Sequence, residues 1–277
     1  MIAALFGVAD LLGYDFMRRT LLAAVLVGLS APAAGVFLVQ RRLALIGDGL
    51  GHVAVTGVAL GLLVGRAPVL VALATAVAGA VTIELIRARG EVFAETALAI
   101  LFYGGIAGGV VLVSRTPAGG RGLDQYLFGS IITTSASDLV VFAVLAVVVL
   151  ALTSWLGPAL FAVSNDEQFA RASGLPVLAL NITLAVLSAL TVVVSMRVVG
   201  VLLVSALMVV PVATAQLLAR SFRATYLWGI GLGAAVSIVG VVLAYYLDIP
   251  SGGTIVLLAI ALFAAVLLGD AVTPRRR

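Results

Sequence analysis

The chain has 277 residues, of which 63% are hydrophobic and only 10% are charged, and its mean hydropathy is +1.28. This composition excludes a water-soluble globular protein and is typical of an integral membrane protein. Cysteine is absent, which excludes a disulfide framework, a thiolate metal cluster and a thiol nucleophile.

Nine segments are long and apolar enough to be spanning helices, and charged residues, glycine or proline bound each of them. They lie at 20–39, 43–64, 69–86, 92–113, 139–161, 177–194, 198–218, 225–246 and 254–271. Apolar runs such as 140–152 do not alternate with polar residues, as the strands of a membrane β-barrel would. We therefore predict an all-α, polytopic transmembrane helix bundle of eight or nine spans, with residues 1–277 in one membrane domain.

All 16 basic residues are arginines, and they are spread over the ends of the predicted spans. With nine spans and the N-terminus outside, ten arginines are cytoplasmic and six are not, as the positive-inside rule favours. The scatter argues against nucleic-acid binding despite a pI near 10.0, because that function requires a basic stripe. The first 19 residues lack a basic region ahead of an apolar core and a clear cleavage site, so we expect a retained anchor.

The predicted second span carries a carboxylate and an imidazole one helical turn apart. Asp48 and His52, the only histidine of the chain, share one face and stand about 40° apart around the helix axis. His52 is expected about 13 to 14 Å from Leu43, near the middle of a roughly 30 Å hydrocarbon core. Ionisable groups are costly at this depth, so the pair is a candidate functional site.

Three interpretations of this pair remain open from the residues alone. Asp48 and His52 can form a local ion pair or bond to neighbouring backbone and so fix helix packing, they can relay protons, or they can bind a metal ion. A carboxylate and a neutral imidazole suit zinc, manganese or ferrous iron, whereas cuprous copper prefers sulfur ligands. Two ligands do not complete a tetrahedral site, so such a site suits the transit of a metal ion better than its storage.

Small residues and a proline predict how helices pack around the pair. Gly47 and Gly51 have the small-xxx-small spacing that permits close helix approach, and Gly57 and Gly61 repeat it. Pro211 lies inside the seventh predicted span and is expected to kink it.

Other polar side chains within the spans predict local contacts. Ser205 and Thr214 can form hydrogen bonds across helices. Glu84 lies three residues before Arg87 near a helix end, which predicts an ion pair that snorkels at the membrane interface.

A polar stretch at 164–174 interrupts the apolar pattern between the fifth and sixth spans. Ser164 or Asn165 can cap a short helix there, and Gly174 can end it. On the assigned topology this helix is cytoplasmic and exposes Phe169. It is either an ordinary connection between spans or a contact for a soluble partner.

Four stretches of the chain match motifs of one family in their order along the sequence. The clearest is Arg41–Gly61, which holds a basic pair, the pattern G-D-x-L-x-H and a glycine-rich continuation. The others are Tyr126–Gly129, Asn165–Gly174 and Arg197–Ala215. In these stretches the chain resembles the membrane permease subunits of ABC importers for zinc, manganese or iron.

The resemblance covers nearly the whole chain, and it carries expectations about the site. It implies that Asp48 and His52 line the pathway as metal contacts. Gly51 and Thr56 stand where many family members have serine and proline, and this departure leaves both metal contacts intact.

The resemblance also implies partners. It implies an importer of two permease chains and two cytoplasmic ATP-binding subunits in a bacterial cytoplasmic membrane, fed by an extracytoplasmic metal-binding protein. The short cytoplasmic helix would dock on the ATPase, and its matching residues are Asn165, Asp166, Glu167, Phe169 and Gly174. No cofactor is expected to be bound permanently, because the metal ion is cargo.

The lysine content of the chain is informative about ATP hydrolysis independently of the resemblance. A Walker A motif requires a lysine that reaches the nucleotide phosphates, and this chain contains none. We therefore expect the permease not to be an enzyme and ATP hydrolysis to take place in a partner chain. The alternative is a stand-alone proton- or ion-coupled carrier that uses Asp48 and His52 as a relay.

Overall fold

The structure is a computed structural model and describes residues 13–65, 67–115, 124–129, 135–196, 198–201 and 203–272. Over these ranges the chain forms twelve helices and no strand. In chain order they are α1 (Asp15–Gln40), α2 (Ile46–Val64), α3 (Pro68–Arg87), α4 (Glu91–Val113), α5 (Asp124–Phe128), α6 (Ala136–Trp155), α7 (Gly157–Asn165), α8 (Glu167–Ala172), α9 (Val177–Ser195), α10 (Val204–Leu218), α11 (Phe222–Leu247) and α12 (Ser251–Val272).

Eight helices of the described chain are long and apolar enough to cross a membrane, which confirms the predicted all-α polytopic bundle. The centre of the bundle is α1, which packs against α11, α6, α10 and α9. Glycines let it approach two neighbours closely: a Cβ on Gly35 would overlap the carbonyl oxygen of Met208 in α10, and one on Gly28 would lie 2.7 Å from the carbonyl oxygen of Gly233 in α11. Helices α4 and α6 are the most peripheral of the eight, because fewer than a quarter of their residues are buried.

The predicted seventh span begins later than expected, because residues 198–201 are not helical and α10 starts only at Val204. Gly200 has a φ of +89°, which a helix does not accommodate. The backbone N–H of Val201 instead donates to the carbonyl of Tyr126, at 2.8 Å. Arg197 and Leu202 of the matched stretch lie outside the described residues.

The segment 198–221 nevertheless connects opposite ends of the bundle. Val198 accepts a hydrogen bond of 3.1 Å from Ser251, four residues beyond the end of α11. Phe222, at the start of α11, packs against Phe37 near the end of α1. With 15 residues, about 22 Å of helix, α10 is too short to cross alone, so the predicted seventh segment is the one that falls short of a span, whereas the predicted ninth forms the full-length α12.

The predicted fifth span, 139–161, is divided into α6 and α7. Pro158 has no N–H to continue the helical hydrogen bonding, so it stands in the first turn of the new helix α7. Because α7 continues through Asn165, the expected caps Ser164 and Asn165 are wrong. Asp166 caps α8 instead, with its carboxylate accepting a 2.9 Å hydrogen bond from the N–H of Phe169.

Candidate functional site

Asp48 lies in the first turn of α2 and is held by a residue 157 positions away in the sequence. The hydroxyl of Ser205 donates a hydrogen bond to the Oδ1 atom of Asp48. Ser205 is the second residue of α10, so the positive ends of two helix dipoles meet at this carboxylate and stabilise its charge. Thr214, in contrast, bonds to the carbonyl of Val210 in its own helix, so the cross-helix bond expected for it is absent.

His52 follows Asp48 by one turn of α2 and faces α4. Its ring packs edge-on against Phe102, with the ring centroids 4.5 Å apart. In the described part of the chain neither ring nitrogen has a hydrogen-bond partner, and no ion pair joins it to Asp48. The interpretation as a local ion pair between the two residues is therefore wrong, and the imidazole nitrogens stay available to a ligand.

The backbone of α4 comes into direct contact with the turn that carries His52. A Cβ on Gly105 would lie 2.8 Å from the carbonyl carbon of His52, closer than real Cβ atoms come. The hydroxyl of Thr56 donates to the carbonyl of Gly105 at 2.6 Å and also approaches the carbonyl of His52 at 3.3 Å. These contacts fix the position of α4 on the functional face of α2.

A cavity of about 600 Å³ opens between α2, α3 and α4 and leads to the carboxylate of Asp48. Its wall includes two arginines, Arg42 and Arg87, and two aromatic residues, Phe102 and Tyr103. Arg42 belongs to the loop between α1 and α2, so the cavity opens toward the end of the bundle where α1 ends.

Few side chains at this site can bind a metal ion. Over the described ranges no group of three or more histidine, cysteine, aspartate and glutamate residues is close enough to hold one metal ion. Asp48 and His52 offer two candidate donors, one carboxylate and one imidazole. Such a site suits an ion that passes through and takes its other ligands from water or from another chain.

The glycines of α2 face two different neighbours. Toward α10, a Cβ on Gly47 would lie 3.1 Å from the Cβ of Ser205, and one on Gly51 would lie 3.2 Å from the carbonyl oxygen of Val201. A side chain at either position would separate Asp48 from the hydroxyl group that holds it.

The second pair of glycines faces α3. A Cβ on Gly57 would lie 2.6 Å from the Cα of Ala72, and one on Gly61 would lie 2.7 Å from the Cα of Pro68. Pro211 is buried inside α10, where it lacks the N–H that a regular helix would use.

The short helix α8 is joined to the loop between α1 and α2. Glu167 pairs with Arg41 at 3.4 Å and with Arg171 at 2.9 Å, and the amide group of Gln40 donates to Asn165 at 3.3 Å. Phe169, in the same helix, is 65% exposed.

Gly174 follows α8 with a φ of +81°. The N–H of the next residue, Leu175, donates to the carbonyl of Ala170, which closes the end of this helix.

Arg41 is the buried member of the ion pair with Glu167. Burial lowers the pKa of the Arg41 guanidinium and the charge of Arg87 adds to this effect, whereas Glu84 and Glu167 oppose it. With only 6% of its side chain exposed, Arg41 depends on these carboxylates for compensation of its charge.

Glu84 and Arg87 form the predicted ion pair at 2.6 Å, and neither side chain of the pair is exposed. Glu84 is only 3% exposed, because α9 and α8 pack over this end of α3. Arg87 lines both the cavity of Asp48 and a smaller cavity of about 50 Å³ beside Glu167. A single side chain thus separates the candidate metal site from the contacts of α8.

Two parts of the site were not found by sequence reasoning. The doubled glycines of α4, Gly104-Gly105 and Gly108-Gly109, repeat at the small-xxx-small spacing and were a usable signal for close contact with α2. The pair of Arg41 and Glu167 had no comparable signal, because its members are 126 positions apart.

Comparison with known proteins gives consistent matches over nearly the full length. Residues 13–270 match the ABC 3 transport family. The chain is similar to the manganese transport system membrane protein MntC of Halalkalibacterium halodurans, with 32% identity over 92% of this chain and 87% of that protein. It is also similar to the probable iron transport system membrane protein of Haemophilus influenzae, with 30% identity over 92% of this chain and 94% of that one.

A solved structure extends the likeness to three dimensions. PsaBC from Streptococcus pneumoniae, solved in complex with a Fab, superposes with a TM-score of 0.85 and 29% identity. The match covers 96% of this chain and 95% of the other.

Proposed function

The chain belongs to the ABC 3 transport family, and we propose that it is the membrane permease subunit of an ATP-driven importer of zinc, manganese or iron. The observation that carries the metal role is the position of Asp48. Its carboxylate is held by Ser205, opens onto a large cavity, and lies one turn from an imidazole whose nitrogens bond to none of the described residues. The cargoes named for two relatives, manganese and iron, suit these donors.

The chemistry of the site is binding without covalent change. A dehydrated divalent ion gains a carboxylate oxygen from Asp48 and an imidazole nitrogen from His52 during its passage. With two donors from this chain the ion is held weakly enough to leave again. A second copy of the permease and an extracytoplasmic metal-binding protein are the proposed sources of further ligands and of cargo.

Energy for transport comes from a partner in this proposal. The chain has no lysine for a Walker A motif, so ATP hydrolysis is assigned to a separate cytoplasmic ATP-binding subunit. The permease would act in the bacterial cytoplasmic membrane as one transmembrane domain over residues 1–277, coupled to the ATPase through α8. Exposed Phe169 is the proposed anchor of that contact, beside Asn165, Asp166 and Glu167 and ahead of Gly174.

The contacts of Glu167 supply a route from the ATPase to the metal site. A displacement of α8 acts on Arg41 through the ion pair, and Arg41 ends the helix that leads through a short loop into α2. Arg87 provides a second path, since it lines the cavities on both sides. Alternating access would follow when α8 favours one of two positions of α2. The stand-alone carrier is not favoured, because the family consists of ABC transporter components.

The metal role is tested by uptake in vesicles that contain the assembled transporter. We expect His52→Ala and Asp48→Asn to lower metal uptake by at least about tenfold, while ATPase association and ATP hydrolysis persist, since the loss of one strong ligand costs upwards of about 1.4 kcal/mol. Asp248→Asn is the matched control, because it removes an exposed carboxylate outside the site. Unchanged uptake in both site variants would refute the assignment.

A further inference from the structure

A second cavity, of about 560 Å³, lies apart from the metal site between the end of α6, the helix α7 and the start of α11. Three rings form its floor: Phe161 and Phe222 have centroids 4.5 Å apart, and Phe37 lies 5.4 Å from Phe222. Its size is that of a small-molecule pocket, and its lining is mostly apolar.

Polar groups are gathered at one side of this cavity. The hydroxyl of Tyr226 lies 2.9 Å from that of Thr153 and 3.4 Å from that of Ser154. Arg223 also lines the cavity, is exposed, and has no acidic partner among the described residues. The cavity therefore combines an apolar floor with hydroxyl groups and one uncompensated positive charge.

The position of the cavity is that of a membrane–water boundary. It lies at the last turn of α6 and the first two turns of α11, where two spanning helices end and begin. The only two tryptophans of the chain, Trp155 and Trp228, stand at this level and are 77% and 53% exposed. Exposed tryptophans are typical of the interface between acyl chains and headgroups.

We propose that this cavity binds an anionic phospholipid of the cytoplasmic leaflet, with its phosphate at Arg223 and an acyl chain over Phe161 and Phe222. The charge of Arg223 selects an anionic headgroup, and the hydroxyl group of Ser154 offers a hydrogen bond to the phosphate oxygens. The aromatic floor accepts the chain. Because α7 runs directly into α8, an occupied cavity would also support the helix proposed to dock on the ATPase.

The test uses Trp155 as a reporter in the full chain carrying Trp228→Phe. The protein is reconstituted in phosphatidylcholine vesicles that contain a minor fraction of brominated phosphatidylglycerol, and in vesicles where the phosphatidylcholine fraction is brominated instead. Quenching of Trp155 then gives the relative affinity for the anionic lipid. We expect a preference of about fivefold, the effect of one arginine at a membrane surface.

Two variants, a control variant and a soluble competitor distinguish lipid binding in this cavity from a general attraction of anionic lipid to the protein. Arg223→Ala should reduce the preference to about one, whereas Arg89→Ala, an exposed arginine outside the cavity, should leave it unchanged. Gly157→Leu should also abolish it, because a Cβ on Gly157 points into open space and a leucine would fill the cavity. No preference in the parent protein, equal losses in both arginine variants, a full preference in Gly157→Leu, or displacement by free glycerol phosphate would each overturn the proposal.

Discussion

The ion pair of Arg41 and Glu167 predicts a measurable link between ATP hydrolysis and metal transport. Glu167→Gln removes the carboxylate charge but keeps the size of the side chain, so α8 retains its cap at Asp166. We expect this variant to retain the ATPase and to transport less metal for each ATP hydrolysed. The reason is that Arg41 then transmits the displacement of α8 to α2 less effectively.

The magnitude follows from the burial of the two partners. Arg41 is 6% exposed and Glu167 is 41% exposed, at a separation of 3.4 Å. An exposed pair contributes up to about 1 kcal/mol, and a fully buried one considerably more, so this half-buried pair should contribute about 1 kcal/mol. As a coupling free energy this corresponds to a decrease of about fivefold in metal transported per ATP.

The assay compares uptake and ATP hydrolysis in the same vesicles for a double-mutant cycle of Arg41→Met and Glu167→Gln. The two single variants and the double variant should show similar losses, since each removes the same pair. Arg171→Ala is the matched control, because it breaks only the outer pair of Glu167, whose arginine side chain is 71% exposed. Additive losses in the double variant, or an equal loss in Arg171→Ala, would refute the proposed route.

Three further predictions follow from single contacts. Phe169→Ala and Glu167→Arg should each abolish co-purification of the ATPase. The first removes an exposed apolar anchor, and the second places a third cation beside Arg41 and Arg171. Full retention of the ATPase would contradict the docking role. Ser205→Ala should weaken metal-stimulated ATP hydrolysis by about tenfold, because a hydrogen bond to a charged group contributes about 1.5 to 3 kcal/mol, and an unchanged metal titration would contradict this. Gly105→Ala should lower the free energy of unfolding by about 1 to 3 kcal/mol and reduce metal uptake. Gly104→Ala should do neither, because a Cβ there meets open space. Equal behaviour of the two variants would be inconsistent with the packing of α4 on α2.

The sequence by itself determined the class of the protein and the positions of its helices. Hydropathy and helical periodicity are local properties, so all nine predicted segments correspond to helices, and the largest departures lie where a proline or glycine changed the backbone. Residues 198–201 and the break before Pro158 are those departures. The same local geometry placed Asp48 and His52 on one face of α2, since four residues make about one turn.

Only the tertiary structure decided what surrounds that pair. The sequence marked Ser205 as a residue able to bond across helices, but its partner Asp48 became known only once α10 was packed against α2. The buried pair of Arg41 and Glu167, which gives α8 a path to the metal site, likewise joins segments far apart in the chain. Such contacts depend on how whole helices pack, and a pattern within any one segment does not contain that information.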